Sequence, residues 1–84
     1  MNVRLTVTGR MYHTAATLPE QWDVAEDATV SDLLDQVNAR LESPLPPSCL
    51  VAVGDEHLGA LAAYENRALR IGDEVVLIVP VAGG

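Results

Sequence analysis

The chain contains no lysine and no phenylalanine, and among its 84 residues it has one tryptophan and one cysteine. Without lysine, its cationic side chains are Arg4, Arg10, Arg40, Arg67 and Arg70, against twelve Asp or Glu, for a formal charge of -7. Such a surface repels nucleic acid and anionic lipid, since both are held by positive charge, so neither is an expected partner. It favours encounter with a basic protein face, and it also keeps a small domain in solution. The missing lysines further mean that the chain cannot be linked to another copy through a lysine side chain. The single Cys49 excludes an internal disulfide and fits a cytoplasmic protein. Long apolar runs are also missing. The longest covers Val75 to Val79, resumed after Pro80 by Val81 and Ala82, and is far too short to span a bilayer. Residues 1–10 alternate in polarity instead of joining a basic stretch to an apolar block, so no secretory signal is expected.

What is present suits one small domain spanning residues 1–84. Apolar residues make up 49% of the chain, well above the range of disordered sequences. A chain this short buries only about 60–65% of its unfolded surface, so few core positions can be given over to chemistry. Val3, Leu5 and Val7 alternate with Arg4, Thr6 and Thr8, which predicts a half-exposed strand ended by Gly9. A second extended segment is expected over residues 17–24, with Leu18, Trp22 and Val24 on one side and Pro19 marking an edge.

Thr29 and Asp32 form an approximate capping box, and Val30, Leu33, Leu34, Val37 and Leu41 then make one apolar helical stripe. Asp32 and Asp35 lie near the positive end of that helix and Arg40 near its other end, and Pro44 stops it after about 13 residues. Residues 49–53 predict a third strand, turned by Gly54-Asp55. His57-Leu58 suggests a short strand and residues 60–64 a helical turn. Gly72-Asp73 is a turn signal before Val75 to Val79, whose continuous aliphatic run predicts a central strand covered on both faces, by the helix on one and by a partner protein or a loop on the other. Two strands, a helix that crosses the sheet and further strands describe an α+β roll, with a mixed sheet of four or five strands packed on one main helix.

The end of the chain stands out. Gly83 and Gly84 lack Cβ atoms, so they can pass through a narrow groove in another protein. Chance closes roughly 0.5% of chains on two glycines, at about 7% glycine usage, so the pair carries weight only with the turn and strand before it. Those are present, in the order Leu69, Gly72-Asp73-Glu74, Val75 to Val79, Pro80-Val81-Ala82, Gly83-Gly84. This arrangement resembles the ubiquitin-like sulfur carriers, namely the small subunit of molybdopterin synthase and, as a near relative, the carrier that feeds thiamine thiazole synthesis. Thr29-Val30-x-Asp32-Leu33-Leu34 and Val51-Ala52-Val53 extend the likeness along the chain. Thr8 to Tyr12 departs from it, because the molybdopterin-type carriers usually have an aromatic residue and then an Arg-Glu pair there.

The resemblance implies a β-grasp domain with residues 80–84 as a flexible tail. It implies that the Gly84 carboxylate is adenylated and converted to a thiocarboxylate, and the chain length and Pro80-Val81-x-Gly83-Gly84 lean towards molybdopterin synthesis as the destination of the sulfur. Thiamine thiazole or another sulfur-transfer pathway, or a ubiquitin-like modifier or binding module without sulfur chemistry, are the alternatives. On this reading Pro80, Val81, Ala82 and Gly83 are recognised by partners, and Arg67 and Arg70 contact carboxylates on the activating enzyme. The implied partners are an adenylyltransferase of the ubiquitin-activating type, a sulfur donor protein and the large subunit of molybdopterin synthase. ATP and Mg²⁺ belong to the activating enzyme, and this chain binds no cofactor of its own.

The other reactive residue types carry plainer expectations. Cys49 begins a strand with no basic neighbour in sequence, so burial as a small hydrophobe is expected. His13, His57 and Cys49 lack the spacing of a metal site. The carboxylates form a solvated acidic face, since no companion base accompanies them, and Trp22 is a core or boundary residue. No set of acid, base and nucleophile can be named, so the chain reads as a carrier and not an enzyme.

Overall fold

Val3, Leu5 and Val7 share one side of an eight-residue strand, β1 (Asn2–Gly9), because successive side chains of an extended chain point to opposite faces. The structure is a computed structural model and describes residues 1–9, 18–41 and 44–80. After β1 come β2 (Gln21–Asp23), the helix α1 (Val30–Arg40), β3 (Leu50–Val53), β4 (Glu56–Ala60) and β5 (Glu74–Val79). The five strands make one mixed sheet in the order β2-β1-β5-β3-β4. β1 and β5 run parallel, and the other neighbours are antiparallel. This is the expected β-grasp roll, with β5 at its centre.

Local chemistry fixes each element. Thr29 accepts a bond from the Asp32 amide at 3.3 Å, and its own amide donates to Asp32 Oδ2 at 2.8 Å, which completes the capping box. The helix is 11 residues long, shorter than expected, and Leu41 is already extended three residues before Pro44. Asn38 explains the early stop. Its carbonyl accepts the Leu41 amide at 3.2 Å, and its side chain accepts the Leu45 amide at 3.1 Å, turning the chain away. β2 is likewise shorter than the expected segment. Pro19 precedes it, and the Pro19 carbonyl accepts the Trp22 indole N–H at 2.7 Å, so the chain bends there before it can pair.

Between β3 and β5 the chain follows the expected course with one irregularity. The register of β3 on β4 shifts between Val51 and Ala52, which sets Leu58 as an extra residue on β4. The segment expected to be a helical turn is a tight turn in which the Ala63 amide donates to the Ala60 carbonyl at 2.9 Å.

Val30, Leu33, Leu34 and Val37 are buried against the sheet, where Val3, Leu5, Val51, Val75 and Leu77 meet them. Leu33 is fully buried. Leu33→Ala is therefore expected to cost about 2–5 kcal/mol in urea unfolding, as removal of a buried leucine side chain usually does. No helix among the described residues is long and apolar enough to cross a membrane.

Candidate functional site

β5 delivers the chain to its C-terminal segment, and its exit is held on both sides. Its residues pair with β1 from Arg4↔Glu74 to Gly9↔Val79, and with β3 from Val53↔Val75 to Leu50↔Ile78. At the last rung a Cβ on Gly9 would lie 1.9 Å from the Val79 carbonyl oxygen, and Gly9 has φ +102. Only glycine lets the two backbones meet there. Pro80 follows, exposed, where it cannot donate to a further ladder bond. Val81, Ala82, Gly83 and Gly84 lie outside the described residues.

The two faces of β5 differ. Val75, Leu77 and Val79 point under the helix and are buried, whereas Val76 and Ile78 face the other way and are half-buried. The helix covers one face of the strand as expected, and within the chain the other face is only partly covered. On the outer side, Ile78 lies between Thr8 and Leu50, and Val76 between Thr6 and Ala52. Leu50 is 43% exposed. Leu50, Ala52, Val76 and Ile78 form an apolar strip that runs along the sheet towards Pro80, bordered on the β1 side by the exposed Thr6 and Thr8. One side of Val75 to Val79 was expected to face a partner, which covers Val76 and Ile78, whereas Leu50 joins them only through strand pairing and escaped the sequence reading.

Arg67 and Arg70 lie at the opposite end of β5. The Asp73 that joins them to the strand is separated from Pro80 by six residues, roughly 20 Å of extended chain. Arg67 is engaged within the domain. Its guanidinium reaches Glu56 Oε1 at 2.8 Å and Asp73 Oδ2 at 3.7 Å, and its Nε donates to the Ala68 carbonyl at 3.3 Å. It ties β4 to the turn before β5. Arg70 is exposed, and among the described residues it forms no ion pair. Its backbone amide donates to Asp73 Oδ2 at 2.7 Å, which fixes the turn and leaves the guanidinium for other contacts.

Cys49 is fully buried, and burial pushes its thiol above the ordinary range, against a smaller opposing pull from the Ile78 backbone. A thiol so placed is a poor nucleophile. In native protein Cys49 is expected to react with a water-soluble aromatic disulfide only at the rate of unfolding, and promptly in 8 M urea as an order-of-magnitude denaturing condition. His57 is exposed, and His13 lies outside the described residues. Among the described residues no three of His, Cys, Asp and Glu come together as a metal site.

A small β-grasp sheet with its central strand leading to a glycine-ended segment can now be set beside known proteins. The model of the ThiS family matches residues 5–84. The chain belongs to the ThiS family. It is thereby a small β-grasp, ubiquitin-like carrier or modifier protein, and not itself catalytic. The crystal structure of SAMP1 from Haloferax volcanii is similar to it with a TM-score of 0.74 and 26% identity, over 100% of both chains. A crystal structure of the H. volcanii small archaeal modifier protein 1 is similar with a TM-score of 0.70 over 95% of this chain and 98% of that one. Its 22% identity speaks for the fold alone. No curated protein matches the chain.

Proposed function

We propose that this ThiS-family chain is a sulfur carrier loaded at Gly84, serving thiamine thiazole formation or another sulfur-transfer step, of which molybdopterin synthesis is one. The observation that supports it most is that the family match continues from the sheet through residue 84. A carboxylate resists attack because charge and resonance both stabilise it. An oxygen of the Gly84 carboxylate therefore attacks the α-phosphorus of ATP in an activating enzyme, and pyrophosphate leaves. The terminal sulfur of a donor persulfide then adds to the acyl carbon, and AMP leaves. Cleavage of the resulting acyl disulfide by a thiol yields the Gly84 thiocarboxylate and a disulfide on the partner. This chain contributes a carboxyl group, glycines that fit a closed groove and a face to dock. Intact-protein mass spectrometry after co-expression with candidate activating enzymes and sulfur donors tests the proposal. One oxygen exchanged for sulfur on the C-terminal peptide supports it, and sulfur on Cys49 rejects it.

A second reading is favoured by the likeness to SAMP1, which a similar structure names as a modifier protein. The same acyl-adenylate would pass Gly84 to a lysine amine of another protein, with AMP as the leaving group. A stable isopeptide on a target protein, with no sulfur-loaded species at any stage, would select that reading.

For either outcome the outer strip of the sheet is the expected docking face of the activating enzyme. Leu50→Asp should weaken that binding about thirtyfold in calorimetry, the size of a single apolar hot spot near 2 kcal/mol. Glu74→Gln, at the rim, should change it by no more than about threefold. The association rate should fall as salt rises, because the carrier is acidic.

A further inference from the structure

A groove of about 300 Å³ opens on the helix side of the sheet, away from Leu50 and Ile78. One wall is α1, the second is the segment around Leu45 and Pro47, and the third is the turn that carries Leu61 and Tyr64. Its floor is apolar, with Leu34 and Leu45 nearly covered and Leu61 half-buried. The walls are braced against closing. The Leu45 amide donates to the Asn38 side chain at 3.1 Å, the Ala62 amide to the Pro47 carbonyl at 3.1 Å, and the Ser31 amide to the Asn66 side chain at 2.9 Å. A space held open by such bonds needs no rearrangement before it is filled, which lowers the cost of binding.

Its charge selects the occupant. Asp35 lines the groove, and among the described residues no arginine or histidine does. Among the described residues Asp35 forms no ion pair. Asp32 precedes it by one helical turn and Glu65 follows Tyr64 in the chain. An anionic ligand such as a nucleotide meets no cation here, on a chain of charge -7. A single lining carboxylate cannot enclose a metal ion. An aliphatic stem with a cationic head fits both features, with the stem on the leucine floor and the head at Asp35.

We propose that this groove docks an arginine- or lysine-bearing aliphatic segment of a partner protein. The site lies across the sheet from the strip assigned to the activating enzyme, so both can be engaged at once. The proposal does not rest on the chemistry of Gly84. Its size suits one or two side chains and not a stable protein interface, so it acts as an auxiliary and transient contact.

The test is a nuclear magnetic resonance titration of the full ¹⁵N-labelled chain with the probe acetyl-Leu-Arg-Leu-amide, and with acetyl-Leu-Glu-Leu-amide as its charge-reversed control. Shifts for the arginine probe should centre on Ser31, Asp35, Leu61 and Tyr64. Asp35→Asn, at an exposed position, should weaken the arginine probe about two- to fivefold, as loss of one exposed charge pair does. Ala62→Arg, also exposed, should abolish binding by placing the chain's own cation in the groove. Equal shifts from the glutamate probe would show an apolar site without charge selection and overturn the proposal. Shifts centred on Leu50 and Ile78, or an unchanged affinity in Asp35→Asn, would also overturn it.

Discussion

Gly9→Val is expected to lower folding stability by about 3 kcal/mol or more, because positive-φ backbone of this kind strains any residue with a Cβ by roughly 1–3 kcal/mol before clashes are counted. The clash here is with backbone. A Cβ at Gly9 falls 1.9 Å from the Val79 oxygen and 2.9 Å from its carbonyl carbon, on the last rung of the β1–β5 ladder. Neither strand can retreat without losing that rung, and Val79 is itself buried under the helix side of the sheet. Gly54 provides the control. It also has positive φ, at +60, but a Cβ there meets nothing within 4 Å. Gly54→Asn should cost about 1 kcal/mol or less, since asparagine visits the left-handed region most readily among residues with side chains. Urea unfolding measures both variants. Amide exchange at Val79 then shows whether Gly9→Val frees the end of β5 before the rest of the sheet opens. Equal costs for the two variants would mean that the close approach at Gly9 is unimportant.

The same glycine shows which parts of the fold were legible in the sequence. Alternation named the faces of β1, and the three- and four-residue steps from Val30 named the buried side of α1, because both signals depend only on local geometry. The capping box was legible for the same reason. The sharp ends were not. The early stop of α1 depends on Asn38 reaching Leu45 seven residues on, and the shortness of β2 depends on how Pro19 meets Trp22. Gly9 read as a strand terminator, whereas its tighter requirement comes from Val79, seventy residues away. Parallel pairing between the first and last strands leaves no short-range trace.

The candidate site divides along a similar line. Pro80 and the glycine pair are visible in sequence as residue types in order, and the family match spans them. The roles of the arginines needed the fold. Arg67 and Arg70 both precede the final turn in sequence and looked equivalent, yet Arg67 closes an internal link to Glu56 and Asp73 while Arg70 points to solvent. Both lie a strand's length from Pro80, so they suit a contact remote from the tail and not one beside the reacting carbon. The apolar strip around Leu50 and Ile78 arises from two strands, β3 and β5, brought together by pairing. No window of sequence contains it.

Deleting Gly84 is expected to abolish sulfur loading while leaving the urea midpoint nearly unchanged. The reacting carbon would be lost from its position, whereas Val79 is the last buried residue among those described. Extending the chain beyond Gly84 should have the same effect, because the carboxylate would then stand outside the groove that closes on the glycines. Gly83→Val should also block loading, since a β-branched side chain occupies the space in which a partner's backbone meets a residue without Cβ. Cys49→Ser separates this mechanism from one in which the chain carries sulfur on its own thiol. Cys49 is fully buried with its thiol pushed up, so it should contribute packing and no chemistry. The serine variant should be somewhat less stable, by about 1–3 kcal/mol for a hydroxyl placed in an apolar core. It should still load at Gly84 under conditions where it remains folded. Mass spectrometry of the intact variants, followed by mapping of the C-terminal peptide, reads all four. Loading of the Gly84 deletion, or loss of loading in folded Cys49→Ser, would place the sulfur elsewhere and remove the terminal carboxylate from the mechanism.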